Sequence, residues 1–363
     1  MSDDIVTHSD KNYKLRMFLF RWGVSLPGLV AQVVFGWLPL IIGILVSFQE
    51  FHMEKSQWNG LDNYKAVLSD PNSAPFSIKM AKSFYSGEVK NYQEENGVAP
   101  SPPVKIIYGI ESIYNGMGVI WRNTLFYVFL SLGLTFLVPV IVSILLTEMS
   151  PGLIRIMMIL WFIPVSGMSS LIILKYFYNV DYGLLNGIIA QVYDLLGRPE
   201  AERIYPRWLN SPNLVMFCLV LPGLVMFSPG LIYITALQGI PQDLYDAAEI
   251  DGCGFVQKIW HITLPRLRPI IVTMFMLAVL HSFQVMNEVL IMTQGGPGDR
   301  TLVVGYYIYK MTFDYLEIGK GNALAVIYFC FLMFLTILQR VYIKEDKDKG
   351  EDKKTLKLIK EGN

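Results

Sequence analysis

The chain has 363 residues, 53% of them hydrophobic and 17% charged, with 30 basic and 30 acidic side chains that cancel. That length would accommodate two soluble domains, but so apolar a composition with long uncharged runs fits a polytopic membrane protein. The zero net charge gives no electrostatic case for nucleic acid, and Cys218, Cys253 and Cys330 lie too far apart for a disulfide framework or a zinc site.

Residues 1–16 form a polar N-terminal tail with Lys11, Lys14 and Arg16 just ahead of the first apolar run. Apolar segments follow at about 19–48, 124–147, 153–177, 212–238, 270–293 and 322–343. Each approaches or exceeds the ~20 residues a membrane-crossing helix needs. The first is too long for a cleavable signal and carries Pro27 and Pro39 without a small-residue exit, so 24–48 reads as a retained span. The expected fold is an all-α membrane protein with six transmembrane helices and both termini on one side. Lys and Arg are roughly twice as dense in the N-tail, the 148–155 turn, the 239–269 loop and the tail 344–363 as in the other connections. The positive-inside rule then puts both termini and the 239–269 loop in the cytoplasm. Aromatic residues cluster at span ends, among them Trp22, Trp121 and Tyr176, as interfacial belts do.

The first connection, 49–123, is unusually long. It holds DPNSAP and YQEENGVAPSPP, clusters that favour turns and bury little apolar surface. Short helices are expected at 76–92 and 105–119.

Residues 241–269, PQDLYDAAEIDGCGFVQKIWHITLPRLRP, form a charged block between two apolar segments. Asp243, Asp246, Glu249 and Asp251 crowd its first half, a Gly252-Cys253-Gly254 break follows, and Lys258, Arg266 and Arg268 close it. The pattern predicts a helix over 242–250, with Asp243 placing negative charge in the positive first turn. A turn at Gly252 should follow, then a second helix ended by Pro265, which lacks an N–H and clashes with the preceding turn. This block closely resembles the cytoplasmic coupling loop, or EAA loop, of permease subunits in binding-protein-dependent ABC importers. The family pattern E-A-A-x-x-D-G followed by I-x-L-P is met by Asp246-Ala247-Ala248, Asp251-Gly252 and Ile262-Thr263-Leu264-Pro265, with Asp246 standing where the family usually has Glu. The resemblance implies a type I ABC-importer permease fold and assigns ATPase coupling to Asp246, Ala247, Ala248, Glu249, Asp251 and Gly252.

Next comes 278–294, AVLHSFQVMNEVLIMTQ. On a continuous helix His281, Gln284 and Glu288 share one face, flanked by Ser282, Val285 and Asn287. Apolar residues contribute roughly −0.3 to −0.6 kcal/mol each to insertion and a central charge costs roughly 3 kcal/mol, so this helix is near break-even alone. Its polar stripe should therefore face protein or a watery cavity. It is either a substrate-facing wall or a set of interhelical hydrogen bonds. The maltose-type relatives line a sugar cavity with this helix, and counting back from the shared Gly-Gly-Pro that resemblance implies contacts near Ala278, His281, Ser282 and Val285. Joined to the polar stripe, the expected substrate path is His281, Ser282, Gln284, Val285, Asn287 and Glu288.

Thr293-Gln294-Gly295-Gly296-Pro297 and the later Gly319-Lys320-Gly321-Asn322-Ala323 are similar to signatures of carbohydrate-type permeases. The likeness covers about 17–68 and 121–343 and leaves 69–120 as an extracytoplasmic insertion between the first two helices. In the large maltose-type subunit an insertion here meets the binding protein, which implies a docking role; a loop without function is the bland alternative. The chain has no GxxxxGK[ST] and no HExxH, so neither a P-loop nucleotide site nor a metal site is expected. It reads as a transport subunit and not an enzyme, with ATP and Mg on partner ATPases. The resemblance further implies a second permease, as a heterodimer, two ATP-binding subunits, an extracytoplasmic solute-binding protein, and a sugar or oligosaccharide as solute. Surrounding lipid and a multi-pass place in the bacterial cytoplasmic membrane complete the expectation. The rival reading is a stand-alone secondary transporter or channel with a proton relay at Glu288 and His281.

Overall fold

The computed structural model describes residues 3–51, 56–147, 149, 151–162, 168–223 and 230–361. In chain order its elements are α1 (Asp3–Gln32), α2 (Leu38–Ser47), β1 (Gln49–Phe51), β2 (Ser56–Trp58), α3 (Asp62–Ser69), α4 (Ile78–Asn96), α5 (Pro102–Gly116), α6 (Val119–Thr135) and α7 (Leu137–Thr147). They continue as α8 (Pro151–Phe162), α9 (Met168–Phe177), α10 (Leu184–Leu195), α11 (Val215–Val220), α12 (Gly230–Gln238) and α13 (Asp243–Ile250). The last are α14 (Phe255–Lys258), α15 (Leu264–Phe283), α16 (Asn287–Met292), α17 (Val304–Tyr309) and α18 (Ile318–Glu361).

Four helices among the described residues are long and apolar enough to cross a membrane: Arg16–Ser47, Val119–Leu146, Phe255–Phe283 and Ile318–Tyr342. They fall on the first, second, fifth and sixth expected spans. The expected spans at 153–177 and 212–238 contain residues 163–167 and 224–229, which lie outside the described residues. Along these helices large apolar side chains point outward, Phe35, Phe129 and Phe334 among them. That inverted pattern suits a hydrocarbon surround, where a helix satisfies its own backbone.

Prolines shape these helices in a way the sequence reading missed. Pro265 does not end a helix; the chain stays helical from Phe255 to Phe283. A π-helical turn at Ile259–Thr263, closed by the Leu264 N–H on the Ile259 carbonyl, stands two residues ahead of Pro265. The same device, a π turn at Val33–Trp37, precedes Pro39. Widening the turn by one residue gives the ring room and absorbs the missing donor. The basic tail is also helical, since α18 runs on to Glu361.

The chain divides into two compact units, one of residues 1–67 and 311–327, the other of 68–310 and 328–363. In the first, β1 and β2 pair antiparallel with Gln49 opposite Trp58. Asn63 is buried and donates from Nδ2 to the Ser47 and Gln49 carbonyls at 2.9 Å each. A Cβ at Gly319 would strike the Gln49 carbonyl and lie 2.7 Å from Asn63 Nδ2. The Gly319-Lys320-Gly321 motif thus meets Gln49 and Asn63 through a close backbone approach.

In the second unit α4 and α5 fulfil the two helices expected at 76–92 and 105–119. Ser77 caps α4, accepting from the Met80 N–H at 3.4 Å, and Gly97 ends it at φ 71°. Two extended residues, Met117 and Gly118, join α5 to α6. A Cβ at Gly118 would sit 2.8 Å from the Ala74 carbonyl oxygen, so the hairpin's root is tightly held. A core cluster of Val140, Ile144, Tyr233, Leu237 and Leu267 joins α7, α12 and α15. In a membrane-crossing helix, burying a side chain such as Leu267 adds close van der Waals packing between helices. This cluster lies directly beneath the 241–269 block, with Ile240 and Ile259 packed against it.

Candidate functional site

The block 241–269 folds as helix, turn and helix. Helix α13 carries Asp243 and Asp246 in its first turn, where the positive end of the helix dipole favours them. It ends at Gly252, whose φ of +80° only glycine adopts without strain. The Gly252 N–H donates to the Glu249 carbonyl at 3.0 Å and the Cys253 N–H to the Ala248 carbonyl at 2.9 Å. These are the two bonds of a Schellman cap. Beyond the turn, Gln257 Oε1 accepts from the Gly254 N–H at 2.8 Å and starts α14.

Two contacts that the sequence reading did not single out lock the elbow. Lys258 Nζ donates to Glu249 Oε1 at 2.8 Å across the turn, and the Tyr245 and Thr263 hydroxyls are 3.0 Å apart. A lysine just past a Gly-x-Gly break, nine residues from an acid, was the available signal. Ala248 is buried and anchors α13, whereas Asp243, Asp246, Ala247, Glu249, Ile250, Asp251 and Gly252 are exposed. Ile250, 87% exposed, projects beside the acids, and Phe255, Val256 and Trp260 extend the apolar surface. The elbow thus exposes acids and apolar side chains side by side.

The hydrogen bond and positive charge of Lys258 hold the Glu249 carboxyl below the ordinary carboxylate range. A depressed carboxyl stabilises the folded form above its unfolded-state value and loses that contribution as pH falls through the folded one. The elbow is therefore expected to keep this pair throughout neutral pH and lose it only in acid. Melting curves of wild type and Lys258→Gln should then converge as pH drops below the ordinary glutamate range; a constant separation would show that the pair contributes nothing.

The second predicted site is rearranged. The helix breaks after Phe283 and restarts at Asn287, with Met286 at φ −151° and ψ −51°. His281, Gln284 and Glu288 therefore do not share one helical face, contrary to the sequence expectation. No proline or glycine marks the break; tertiary contacts make it. The Tyr328 hydroxyl donates to the Phe283 carbonyl, one of the acceptors released there. Gly305 packs so closely that a Cβ would lie 2.7 Å from the Val285 carbonyl oxygen. Ser282 is buried with its hydroxyl 3.4 Å from that of Ser131, and Val285 is buried as well. His281, Gln284 and Asn287 are exposed and Glu288 is half-buried.

After α16 the Gly-Gly-Pro turn is pinned from within. Thr301 is fully buried; its hydroxyl lies 2.8 Å from that of Thr293 and donates to the Gly296 carbonyl at 2.8 Å. Asn123 Nδ2 donates to the Asp299 and Leu302 carbonyls at 2.6 and 3.0 Å. This ties the turn to the start of α6.

With an acid-rich elbow rooted under a helical core, the comparison with known proteins is decisive. Residues 120–345 match the family described as binding-protein-dependent transport system inner membrane component. The chain belongs to that family. As an inner membrane component it is a transport subunit and not an enzyme, and its apolar helices agree with that setting. It is similar to the sulfoquinovosyl glycerol transport system permease protein SmoG of Agrobacterium fabrum, 34% identical over 182 residues. That alignment takes in 50% of this chain and 56% of SmoG, so the chain spans just over half the length of this relative. The trehalose/maltose transport system permease protein MalF of Thermococcus litoralis is 29% identical over 61% of this chain and 72% of its own. In fold, the chain resembles the crystal structure of a bacterial ABC transporter involved in the import of the acidic polysaccharide alginate. The TM-score is 0.64 at 18% identity, over 92% of this chain and 98% of that one.

Proposed function

We propose that this inner membrane component forms half of the translocation path of an ATP-driven importer for a sugar or oligosaccharide. The observation that carries the reading is the elbow: a Schellman-capped, ion-paired helix-turn-helix exposing Asp243, Asp246, Ile250 and Asp251 from a root in the Tyr233–Leu267 core. Such a body moves as a unit when a partner pushes on it. The pushing partner is a pair of ATP-binding subunits carrying ATP and Mg, with Asp246, Ala247, Ala248, Glu249, Asp251 and Gly252 at the joint. A second, different permease pairs with this chain's six-span bundle to complete the path, and an extracytoplasmic binding protein delivers the solute, with the 69–120 insertion as a docking arm. The setting is the bacterial cytoplasmic membrane, multi-pass, with both termini inside. The carbohydrate class is supported by the relatives' names, which include sulfoquinovosyl glycerol, trehalose/maltose and arabinooligosaccharides. Ligand at one end and nucleotide at the other bias one two-state bundle.

The substrate wall is assigned to the broken segment. His281, Gln284, Asn287 and Glu288 stand open to a path, while Ser282 and Val285 hold the break in place. Interrupted helices free backbone and side-chain polar groups where a cavity can use them. The rival reading is a proton relay from Glu288 to His281, two groups that the break no longer sets on one helical face. Proteoliposomes containing the complete complex test the proposal with a panel of labelled sugars. Uptake that stops when the ATPase subunits are made hydrolysis-dead supports the importer; proton-driven uptake by this chain alone overturns it.

A further inference from the structure

The connection between α9 and α11 carries a helix that is apolar nearly all round and leaves one aliphatic stripe uncovered. Leu184, Ile188, Val192 and Leu195 follow one another at intervals of four, four and three residues, which places them on a single face of α10. All are about half exposed or more, Leu195 reaching 87%. The other side is packed, with Leu185, Ile189, Ala190 and Tyr193 half-buried around one buried amide. Asn186 is buried and donates from Nδ2 to the Val180 carbonyl at 2.9 Å, while its Oδ1 accepts from Trp208 Nε1 at 2.9 Å. Arg203 pairs with Asp194 at 2.6 Å and closes the far end. A helix whose packed side is already satisfied and whose remaining stripe is aliphatic and exposed is not arranged for water.

We propose that α10 is an interfacial helix whose Leu184–Ile188–Val192–Leu195 face lies in the lipid at the membrane surface. Three observations select lipid as the occupant. First, the helix is tethered at the level of two apolar helix ends. A Cβ at Gly183 would lie 2.7 Å from the Phe177 carbonyl oxygen at the end of α9. At the other end Cys218 Sγ of α11 is 3.6 Å from the Trp208 carbonyl. Second, its apolar face is continuous with the outward face of α9. Ile172, Ile173 and Tyr176 are exposed there, and the Tyr176 ring stands 5.8 Å from that of the exposed Tyr182, two residues before Leu184 begins the stripe. Paired tyrosines at a span end are what the lipid interface attracts. Third, α10 carries no Lys or Arg, so its attachment is apolar and should not require anionic lipid.

The inference rests on the membrane reading of the family, and its test separates the two. A photo-crosslinking amino acid, benzoylphenylalanine, replaces Ile188, Ala190, Phe35, Phe129 or Phe334 one at a time in the full complex, held in nanodiscs of neutral phosphatidylcholine; Ala190 lies on the opposite side of α10 from the stripe. After irradiation, mass spectrometry should find a several-fold higher yield of lipid adduct at Ile188 than at Ala190, unchanged when anionic lipid is added. Adducts at Phe35, Phe129 or Phe334 report that the chain is in the bilayer at all. Lipid adducts at those positions with none at Ile188, or with a protein chain captured at Ile188, would overturn the interfacial helix. Absence of lipid adducts at every position would overturn the membrane reading itself.

Discussion

Replacing Gly252 with proline is expected to abolish solute uptake while the protein still inserts and ATP hydrolysis continues without transport. Gly252 sits at φ +80° with nothing within 4 Å of a Cβ placed on it, so space is not what demands glycine there; the backbone angle is. Proline fixes φ near roughly −65°. It also deletes the N–H that donates to the Glu249 carbonyl at 3.0 Å. Both changes dismantle the cap, and α13 can then no longer hand its displacement to α14 and the Leu267 core. A graded series isolates the angle from everything else. Asparagine visits the left-handed region readily and should transport nearly as well as glycine. Alanine carries a strain of roughly 1–2 kcal/mol, and a β-branched valine more. Uptake per ATP hydrolysed, measured in proteoliposomes, should fall in the order Gly, Asn, Ala, Val, Pro. Full coupling in the proline variant would remove the lever from the mechanism.

What could be read in the sequence and what could not divide along physical lines. The elbow was legible because its signals are local. Acids in a first turn, a glycine at the cap and a hydrophobic root follow from the preferences of a few neighbouring residues. Four of the six expected spans were legible for the same reason, since ~20 apolar residues announce themselves, while the other two contain residues outside those described. The broken helix at 284–286 was not. Its causes, the Tyr328 hydroxyl and the close approach of Gly305, lie dozens of residues or fewer away in sequence but are set by tertiary packing. Pro265 misled in the opposite direction. A proline in isolation reads as a stop, and only the π turn at Ile259–Thr263 lets the helix pass. Helix α10 went unread because a twelve-residue stripe between two spans is too short to stand out from its connection. The Lys258–Glu249 pair went unread because ion pairs across a turn depend on an angle that the sequence only hints at.

That break also sets the largest effect expected on the solute itself. Glu288→Gln should weaken apparent solute affinity by ~10–100-fold, while coupling of transport to ATP hydrolysis stays intact. The estimate comes from the roughly 1.5–3 kcal/mol that a hydrogen bond to a charged group contributes, converted at 1.4 kcal/mol per tenfold. Glu288 sits in the first turn of α16, half-buried, beside the exposed Asn287. A carboxylate there can accept from two sugar hydroxyls at once, and glutamine, nearly the same shape, keeps only one strong acceptor. His281 provides the contrast. It lies before the break, in the last turn of α15, so His281→Gln should alter affinity without touching the energy source. Under the proton-relay alternative either substitution would instead stop uptake driven by a pH gradient. Solute-concentration series on both variants, run with ATP alone and with a proton gradient alone, distinguish the two. A Glu288→Gln variant with unchanged affinity would move the solute path away from α16, and loss of proton-driven uptake would restore the relay.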